Sequence, residues 1–593
     1  MTNGTDIGPE QAGPDASRWR NPTTILCGVL AGLIGWFALG FNHVLPPHYV
    51  GWILAQTEGR VNWYADPGTS YAGWQYFRRA PWQIPLGTNR DYGLEFGSSL
   101  IYSDSIPLLA FLFKPLNPWL GTDFQYEGFW ILACFLSQGV LAALLASKII
   151  RQPPAILMIA AFFTLAPVMQ DMGWIDYSLM AHAFILWGIY LYFTPRRPER
   201  VRWAWIAQVA LTVTTHFYYV PMVLLLWSAE SAKSLIQRTL RWRVFLAEAS
   251  GMTATLLGCM WLVGYFLLSV KDTQTHSFGT HAVNLLGFID PYDRSMFLHS
   301  QPHSPLWRGG AYCYFGLGMI LLCALALVAW IRCPVPAAAL RRVLPLAAAM
   351  IVLAAFSVSN EIALGSHVMT LPNFWGPLGG IFRFSGRMIW PAYYGIWLAA
   401  FYLALRRLHG LNALLLLVVL LTIQVVDLSP DFRDMRRKYA ATQTWDNPLV
   451  DAFWQLATHR YTRIIIVPSG HMLAYIPLAE FGATSHLPIN AAYMNRYPGT
   501  DVIGPISDAR LRNLMKDRLD PDTLYVIPET DRFCTIARGL SKEHGIGRIN
   551  EYNIIAPDWF AAGKPAGAGS VVPAAGAAAR TLLDRLKNDA GND

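Results

Sequence analysis

Between residues 66 and 107 the chain reads DPGTSYAGWQYFRRAPWQIPLGTNRDYGLEFGSSLIYSDSIP. Asp66, Asp91, Glu95 and Asp104 fall inside this stretch beside Arg78, Arg79 and Arg90, with Trp74, Phe77 and Trp82 between them. Carboxylates can take a proton from a hydroxyl or hold a cation. Arginines can fork onto phosphate. Aromatic rings stack on sugar faces or sit at a membrane interface. A segment that only joins two elements has little need of such density. Tyr71 and Tyr102 are further candidate substrate contacts here. Each group also has a plainer reading. Asp66, in Asp-Pro before a helical stretch, suits a helix start. Asp104, in YSDSIP, suits another cap. Asp91 and Glu95 can pair with the nearby arginines on the surface, an arrangement that stabilises little.

Four further places carry groups able to do chemistry. Arg383 and Arg387, in FRFSGRMIWP, open an apolar run at the end where arginine is not expected. Ionisable groups near membrane depth point to function, here the binding of lipid-linked phosphate; the alternative is arginines that snorkel to headgroups. His216, with Tyr218 and Tyr219 in HFYYVP, can bind phosphate or an acceptor, or serve as a hydrogen-bonded packing site. His182 and Asp176, at another helix start, have the same two readings. Asn360 and Glu361 face a cavity or cap its edge.

The elements that must position these groups are set by composition. The chain has 593 residues, of which 14% are charged and 54% apolar, with a mean hydropathy of +0.31. Soluble domains carry about 25% charge. Disorder, a coiled coil and a disulfide-stapled secreted scaffold are excluded for the whole chain. The net charge of +8 does not indicate nucleic acid, because the basic residues cluster at the ends of apolar runs. No cysteine pair has zinc spacing.

Residues 1–22 form a polar tail on the cytoplasmic side, and residues 23–428 a polytopic membrane domain. Its first helix is followed by a long external loop, 43–122. Apolar runs near 128–147, 153–169, 176–193, 204–228, 244–269, 313–331, 343–357, 389–405 and 411–428 follow. The 204–228 run lies between two basic clusters, so it must cross an even number of times. A broken pair turning near His216–Pro221 satisfies this, with halves shorter than a full span of about 20 residues. The count is then about eleven transmembrane helices. Residues 429–560 alternate strand and helix, with strands in RIIIVPS and TLYVIP, and read as an external soluble α/β domain. No GxGxxG or P-loop follows either strand. Residues 561–593, rich in Ala and Gly, read as disordered, with one helix near 574–587. The expected fold class is an α-helical polytopic membrane protein with a C-terminal soluble α/β domain.

This layout resembles the GT-C superfamily of integral-membrane glycosyltransferases. More closely, DPGTSYAGW, RRAPWQIPLG, YGLEFGSSLIYSDSIP, FRFSGRMIWPAYY and QVVDLSP resemble an uncharacterised bacterial membrane-protein family of that type. The resemblance covers about residues 20–560 and implies transfer of a sugar from a polyprenyl-phosphate donor at the periplasmic face of the inner membrane. The acceptor would be an envelope glycan, a glycolipid or a protein. It implies a first-loop carboxylate as base, with inversion at the sugar. Asp66, early in the loop, is the first choice and Asp104 the second. Arg383, Arg387, Arg78 and His216 would hold the donor phosphate. Glu95, Tyr71, Trp74, Trp82, Tyr102 and Tyr219 would contact substrate. The sequence departs from many members of the superfamily in lacking an adjacent or DxD-type acid pair. If a cation is used, oxygen ligands suit Mg2+ or Mn2+. A transporter or flippase of lipid-linked sugars is the competing class, disfavoured by uneven loops and the lack of an internal repeat. A scaffold of an envelope assembly is the third, and it leaves the loop acids and arginines unexplained.

Overall fold

The computed structural model describes residues 20–54, 65–94, 97–195, 198–268, 278–302, 311–408, 410–440, 444–469, 475–490, 494, 500–561 and 569–590. Apolar runs become helices wherever nothing interrupts them. Glu127–Ala146 has its single acidic or basic side chain at its first position, and its 20 residues make it about 30 Å long, the thickness of a bilayer core. Among the described residues 6 helices are long and apolar enough to cross a membrane: Glu127–Ala146, Pro153–Ile175, Trp242–Val263, Ala337–Val358, Ser385–Leu405 and Gly410–Asp427. On this ground we read the chain as a multi-pass membrane protein. Shorter apolar helices, Pro22–Ala38, Tyr177–Tyr192 and Leu317–Arg332, accompany them.

The first helix packs along Glu127–Ala146, and its sequence GVLAG shows how. A Cβ on Gly28 would stand 2.4 Å from the Cα of Val140, and one on Gly139 would stand 2.2 Å from the carbonyl oxygen of Gly28. Only glycine lets the two backbones approach this closely.

The broken pair turns at His216–Tyr218. Its halves are longer than expected from the apolar run. Pro198–Thr215 and Tyr219–Ile236 have 18 residues each, because they continue outward through Arg200, Arg202 and Lys233. Arginine and lysine are good helix formers with long apolar stems, so the charges do not end the helices. Pro221 falls in the first turn of the second helix, where a missing N–H leaves no bond unmade.

The C-terminal region is built on a five-stranded sheet. Arg463–Ile466, Thr523–Val526, Tyr552–Ala556, Gly545–Ile549 and Val572–Pro573 lie side by side in that order. The first pair is parallel and the others are antiparallel. Side chains alternate between two cores. Ile464 and Ile466 join the core continuous with the helical bundle, while Ile465 and Val467 join a second one with Phe533 and Ile536. A strand buried on both faces needs an unbroken apolar run, which explains RIIIV. The helix expected near 574–587 in the Ala/Gly-rich tail is present. Ala577–Ala590 is a helix that puts Ala579, Leu583 and Leu586 into the second core. Its low-complexity composition hides an apolar stripe at helical spacing.

The first long loop is held against this region. Its helix Ala65–Arg79 packs on Ile476–Thr484. The Tyr475 hydroxyl lies 2.5 Å from Thr69 Oγ1 and 2.8 Å from the Tyr92 hydroxyl. The Gly93 N–H donates to the Ile489 carbonyl (2.9 Å), and the Ile489 N–H donates to the Asp91 carbonyl (2.8 Å).

Candidate functional site

The turn Ser103–Ile106 carries the acid that the fold brings into the bundle. Asp104 and Ile106 lie at φ +50° and +41°, in the left-handed region that an aspartate tolerates and a β-branched residue does not. Buried hydroxyls hold the turn there. Ser105 Oγ donates to the Ser70 carbonyl (2.7 Å), Ser103 Oγ lies 2.7 Å from Ser105 Oγ, and Ser70 Oγ donates to the Asp104 carbonyl (3.2 Å). The Tyr126 hydroxyl donates to the Ser105 carbonyl. Gly73 on the helix opposite leaves the space these groups occupy.

Two further groups meet Asp104. His216 Nε2 lies 3.7 Å from Asp104 Oδ1 and 3.7 Å from Asp176 Oδ2. Asp176 caps the turn Tyr177–Met180, accepting from the Ser178 N–H (3.0 Å) and Ser178 Oγ (2.6 Å) through Oδ1. Its second oxygen is thereby left toward His216. The Tyr218 N–H donates to His216 Nδ1 at 3.2 Å. That bond assigns the proton of the neutral imidazole to Nε2, on the side of the carboxylates. One donor atom from each of the three residues lies within 4.8 Å of the others, a spacing at which a cation could be held. Ile101, Pro107, Thr215, Phe217 and Tyr265 complete the crevice that Asp104 and His216 line.

Arg387 stands behind this cluster. It is 5% exposed, with its guanidinium 5.0 Å from the Tyr218 ring and 4.4 Å from the Phe384 ring. Its Nε has no hydrogen-bond partner. The Arg387 guanidinium lies close enough to act electrostatically on the Asp176 carboxylate. Tyr218 also accepts the Phe384 N–H at 3.0 Å, which ties the Arg387 turn to the His216 turn.

The other expected site residues go elsewhere. Asp66 sits in the first turn of Ala65–Arg79, within electrostatic reach of the Tyr475 hydroxyl. Arg78 is buried, and its guanidinium bonds Asn117 Oδ1 (2.6 Å) and the carbonyls of Gly121 (2.9 Å) and Thr122 (3.2 Å). Tyr71, Trp74, Tyr102 and Tyr219 are buried. Trp74 Nε1 bonds the Phe124 carbonyl (3.0 Å) and the Tyr219 hydroxyl bonds the Leu179 carbonyl (2.5 Å), so both rings pack the core and offer no open face to a sugar. Trp82 stays exposed, stacked near Lys114. Arg383 is half-buried against the Phe384 ring. His182 is buried, with Nδ1 2.8 Å from the Tyr394 hydroxyl. Asn360 donates to the Leu371 carbonyl and Glu361 opens a short hairpin. Glu95 lies outside the described residues.

Residues 28–429 match the family described as Domain of unknown function (DUF6311), and residues 453–557 match the DUF6311 C-terminal domain. The chain belongs to the DUF6311 family. No curated protein matches it. Asp104, Asp176, His216 and Arg387 all fall inside the DUF6311 match, and Ile476–Thr484, which braces the first loop, falls inside the C-terminal match.

Sequence reasoning missed Glu127, a fully buried carboxylate at the first position of its helix. Its only signal was position, a single acid at the start of an apolar run. It also undervalued Asp176, whose signal was Asp-Tyr-Ser, a side chain poised to cap its own turn.

Proposed function

We propose that this DUF6311 protein is a membrane glycosyltransferase of the GT-C type, with the full set of eleven helices spanning the inner membrane. It moves a sugar from a polyprenyl-phosphate donor to an envelope glycan, glycolipid or protein acceptor at the periplasmic face. The observation that carries this reading is that His216, which lines a crevice with Asp104, lies 3.7 Å from the carboxylates of both Asp104 and Asp176, with Arg387 acting on Asp176, the four coming from separate segments.

Asp104 is the base in this reading, in place of Asp66. Its side chain is 16% exposed against 8% for Asp176, so it is the acid an acceptor can reach. The acceptor oxygen forms a bond to the sugar's anomeric carbon as the bond from that carbon to the phosphate oxygen breaks. The proton of the acceptor hydroxyl passes to Asp104, and the lipid phosphate leaves with the electron pair. Inversion follows from attack opposite the leaving group. Arg387 stabilises the charge that develops on the phosphate, in a dry site where a preformed donor counts most. Asp176 and His216 hold Asp104 in place.

Mass spectrometry of envelope glycans, glycolipids and polyprenyl-phosphate sugars tests the proposal. A deletion strain is compared with strains carrying wild-type, Asp104→Asn or Asp66→Asn protein at matched levels. One sugar is expected to vanish from an acceptor on deletion and to return with wild type and Asp66→Asn but not with Asp104→Asn. Full restoration by Asp104→Asn would make the protein one that moves or organises substrate. No change in any envelope species on deletion would remove the glycosyltransferase reading.

A further inference from the structure

We infer that the C-terminal region carries a second binding site, a cleft on its sheet that takes an anionic sugar, a glycan unit bearing a carboxylate or a phosphate. Binding there stands on its own. Its use as the subsite that holds the acceptor glycan rests on the function proposed above.

The cleft lies where the apolar sequence of two strands stops. In the parallel pair Arg463–Ile466 and Thr523–Val526, Arg463 is opposite Thr523 and Ile465 is opposite Tyr525, so these four side chains share one face. Ile465 and Tyr525 enter the second core, where Leu511 and Leu514 of the helix Thr500–Met515 and Leu94 of the first loop pack with them. At the start of each strand the apolar side chain gives way to Arg463 and Thr523, and the packing opens. The cavity there has a volume of about 350 Å3, and Leu94, Arg510 and Asp520 line it together with the four strand side chains.

The lining selects the ligand. The volume falls in the range of small-molecule sites, roughly 300–1,000 Å3, and exceeds what an inorganic anion needs. An apolar ligand would leave guanidinium, carboxylate and hydroxyl groups without partners. A sugar ring offers C–H faces to Leu94, Ile465 and the Tyr525 ring, and hydroxyls to Asp520, Thr523 and the Tyr525 hydroxyl. Arg463 supplies the preference for charge. Its Nε donates to Thr523 Oγ1 (2.8 Å) and its Nη2 pairs with Asp520 Oδ2. Asp520 is fixed in turn, with Oδ1 accepting the Asp522 N–H (3.0 Å) and its own N–H donating to the Tyr525 hydroxyl (3.2 Å). These bonds hold the guanidinium plane and leave Nη1 without a partner among the described residues. Arg510, engaged within the fold as well, brings a second guanidinium within electrostatic reach of the Tyr525 hydroxyl. Guanidinium donors suit carboxylate and phosphate oxygens alike. A glycan seated here also touches, through Leu94, the loop that goes on to carry Asp104.

The test uses the full chain in detergent and saturation-transfer NMR with methyl glucuronide, glucose 6-phosphate and the uncharged methyl glucoside. At least one anionic sugar is expected to bind ~10-fold or more tightly than the glucoside, the effect of one charge-assisted hydrogen bond; which one it is tells carboxylate from phosphate. Arg463→Gln brings that sugar down to the level of the glucoside. Arg463→Lys, which keeps the charge and loses the fork, retains part of the preference. Arg548→Gln, which removes a guanidinium paired with Glu551 elsewhere on the sheet, binds as wild type. The Arg463 side chain is 40% exposed, so its replacement leaves the core intact, and thermal melts identify the variants that fold as wild type. Equal binding of charged and uncharged sugars, or a preference that survives in folded Arg463→Gln, overturns the proposal. Tighter binding of triglutamate than of either anionic sugar overturns it as well and makes the cleft a peptide site. In the deletion strain Arg463→Gln is expected to restore at least ~10-fold less of the envelope sugar than Arg548→Gln. Full restoration by an Arg463→Gln protein that has lost sugar binding overturns the acceptor role alone. Selective sugar binding with unchanged envelope glycans on deletion overturns the proposed activity and leaves the cleft standing.

Discussion

Gly73→Ala tests whether the helix Ala65–Arg79 sets the position of Asp104. A Cβ at residue 73 would stand 2.2 Å from Ser103 Oγ, 2.4 Å from Ser105 Oγ and 2.8 Å from Ser103 Cβ. These are the side chains on either side of Asp104, both fully buried and tied to each other and to the Ser70 carbonyl. Neither is a flexible end that can swing aside. Non-bonded contacts of this type settle at about 3.5 Å, so the turn must retreat from the helix by about 1 Å. Overpacking of this size destabilises by ~1–3 kcal/mol, a drop of a few degrees in melting temperature for a chain of this length. The functional effect is larger than the structural one, because a 1 Å displacement of a reacting group lowers rates by ~100-fold. The assay pairs a detergent melt with restoration of the envelope sugar in the deletion strain. Gly121→Ala, in the same loop, is the matched control; nothing lies within 4 Å of the position its added methyl would take, and it is expected to be silent. A folded Gly73→Ala protein with wild-type transfer would refute the claim that this helix places Asp104.

Arg387→Gln should lower donor use by at least ~100-fold, the loss typical of a buried donor to a developing anion; Arg383→Gln, half-buried against Phe384, should lower it by less than ~10-fold. Initial rates against donor concentration read both, and equal effects would sink the distinction. Gly139→Ala should destabilise the bundle far more than Gly258→Ala. The first methyl would meet the Gly28 carbonyl at 2.2 Å and the second meets nothing within 4 Å; melts of the two purified variants decide it. Burial holds the Lys114 ammonium down at about 8 from its free value of 10.5, against the pull of Asp91. The unfolded chain therefore binds more protons between those two values, and stability should rise as pH climbs from about 8 to 10.5. Melts across that window should show the rise in wild type and a smaller one in Lys114→Met; identical curves would count against it.

The sequence by itself determined the long apolar helices and two of the strands, Arg463–Ile466 and Thr523–Val526, but not the hairpin Glu361–Thr370 or the strands after residue 544. An apolar run such as GLNALLLLVVLLTIQVVD (Gly410–Asp427) has one low-energy outcome in a bilayer, because every backbone polar group must be satisfied within the segment. RIIIV could only be a strand buried on both faces. The turn at His216 was legible because two basic clusters flank a single run. The helix of the Ala/Gly tail was legible too, and it forms at Ala577–Ala590, where Ala579, Leu583 and Leu586 share a face.

Only the tertiary structure decided which polar groups share a site. Asp104, Asp176, His216 and Arg387 sit in four turns far apart along the chain, and no periodicity links them. Their meeting depends on how helices cross, down to the absence of a Cβ at Gly28, Gly73 and Gly139. Sequence named Asp66, Asp104, Arg383 and Arg387 as separate candidates. The fold brings Asp104 and Asp176 to His216, with Arg387 near Asp176, because a buried ionisable group persists only where neighbours compensate its lost hydration, and neighbours are a property of the fold. Arg78 makes the same point in reverse. Its side chain looked like a phosphate binder until the carbonyls of Gly121 and Thr122 claimed its donors.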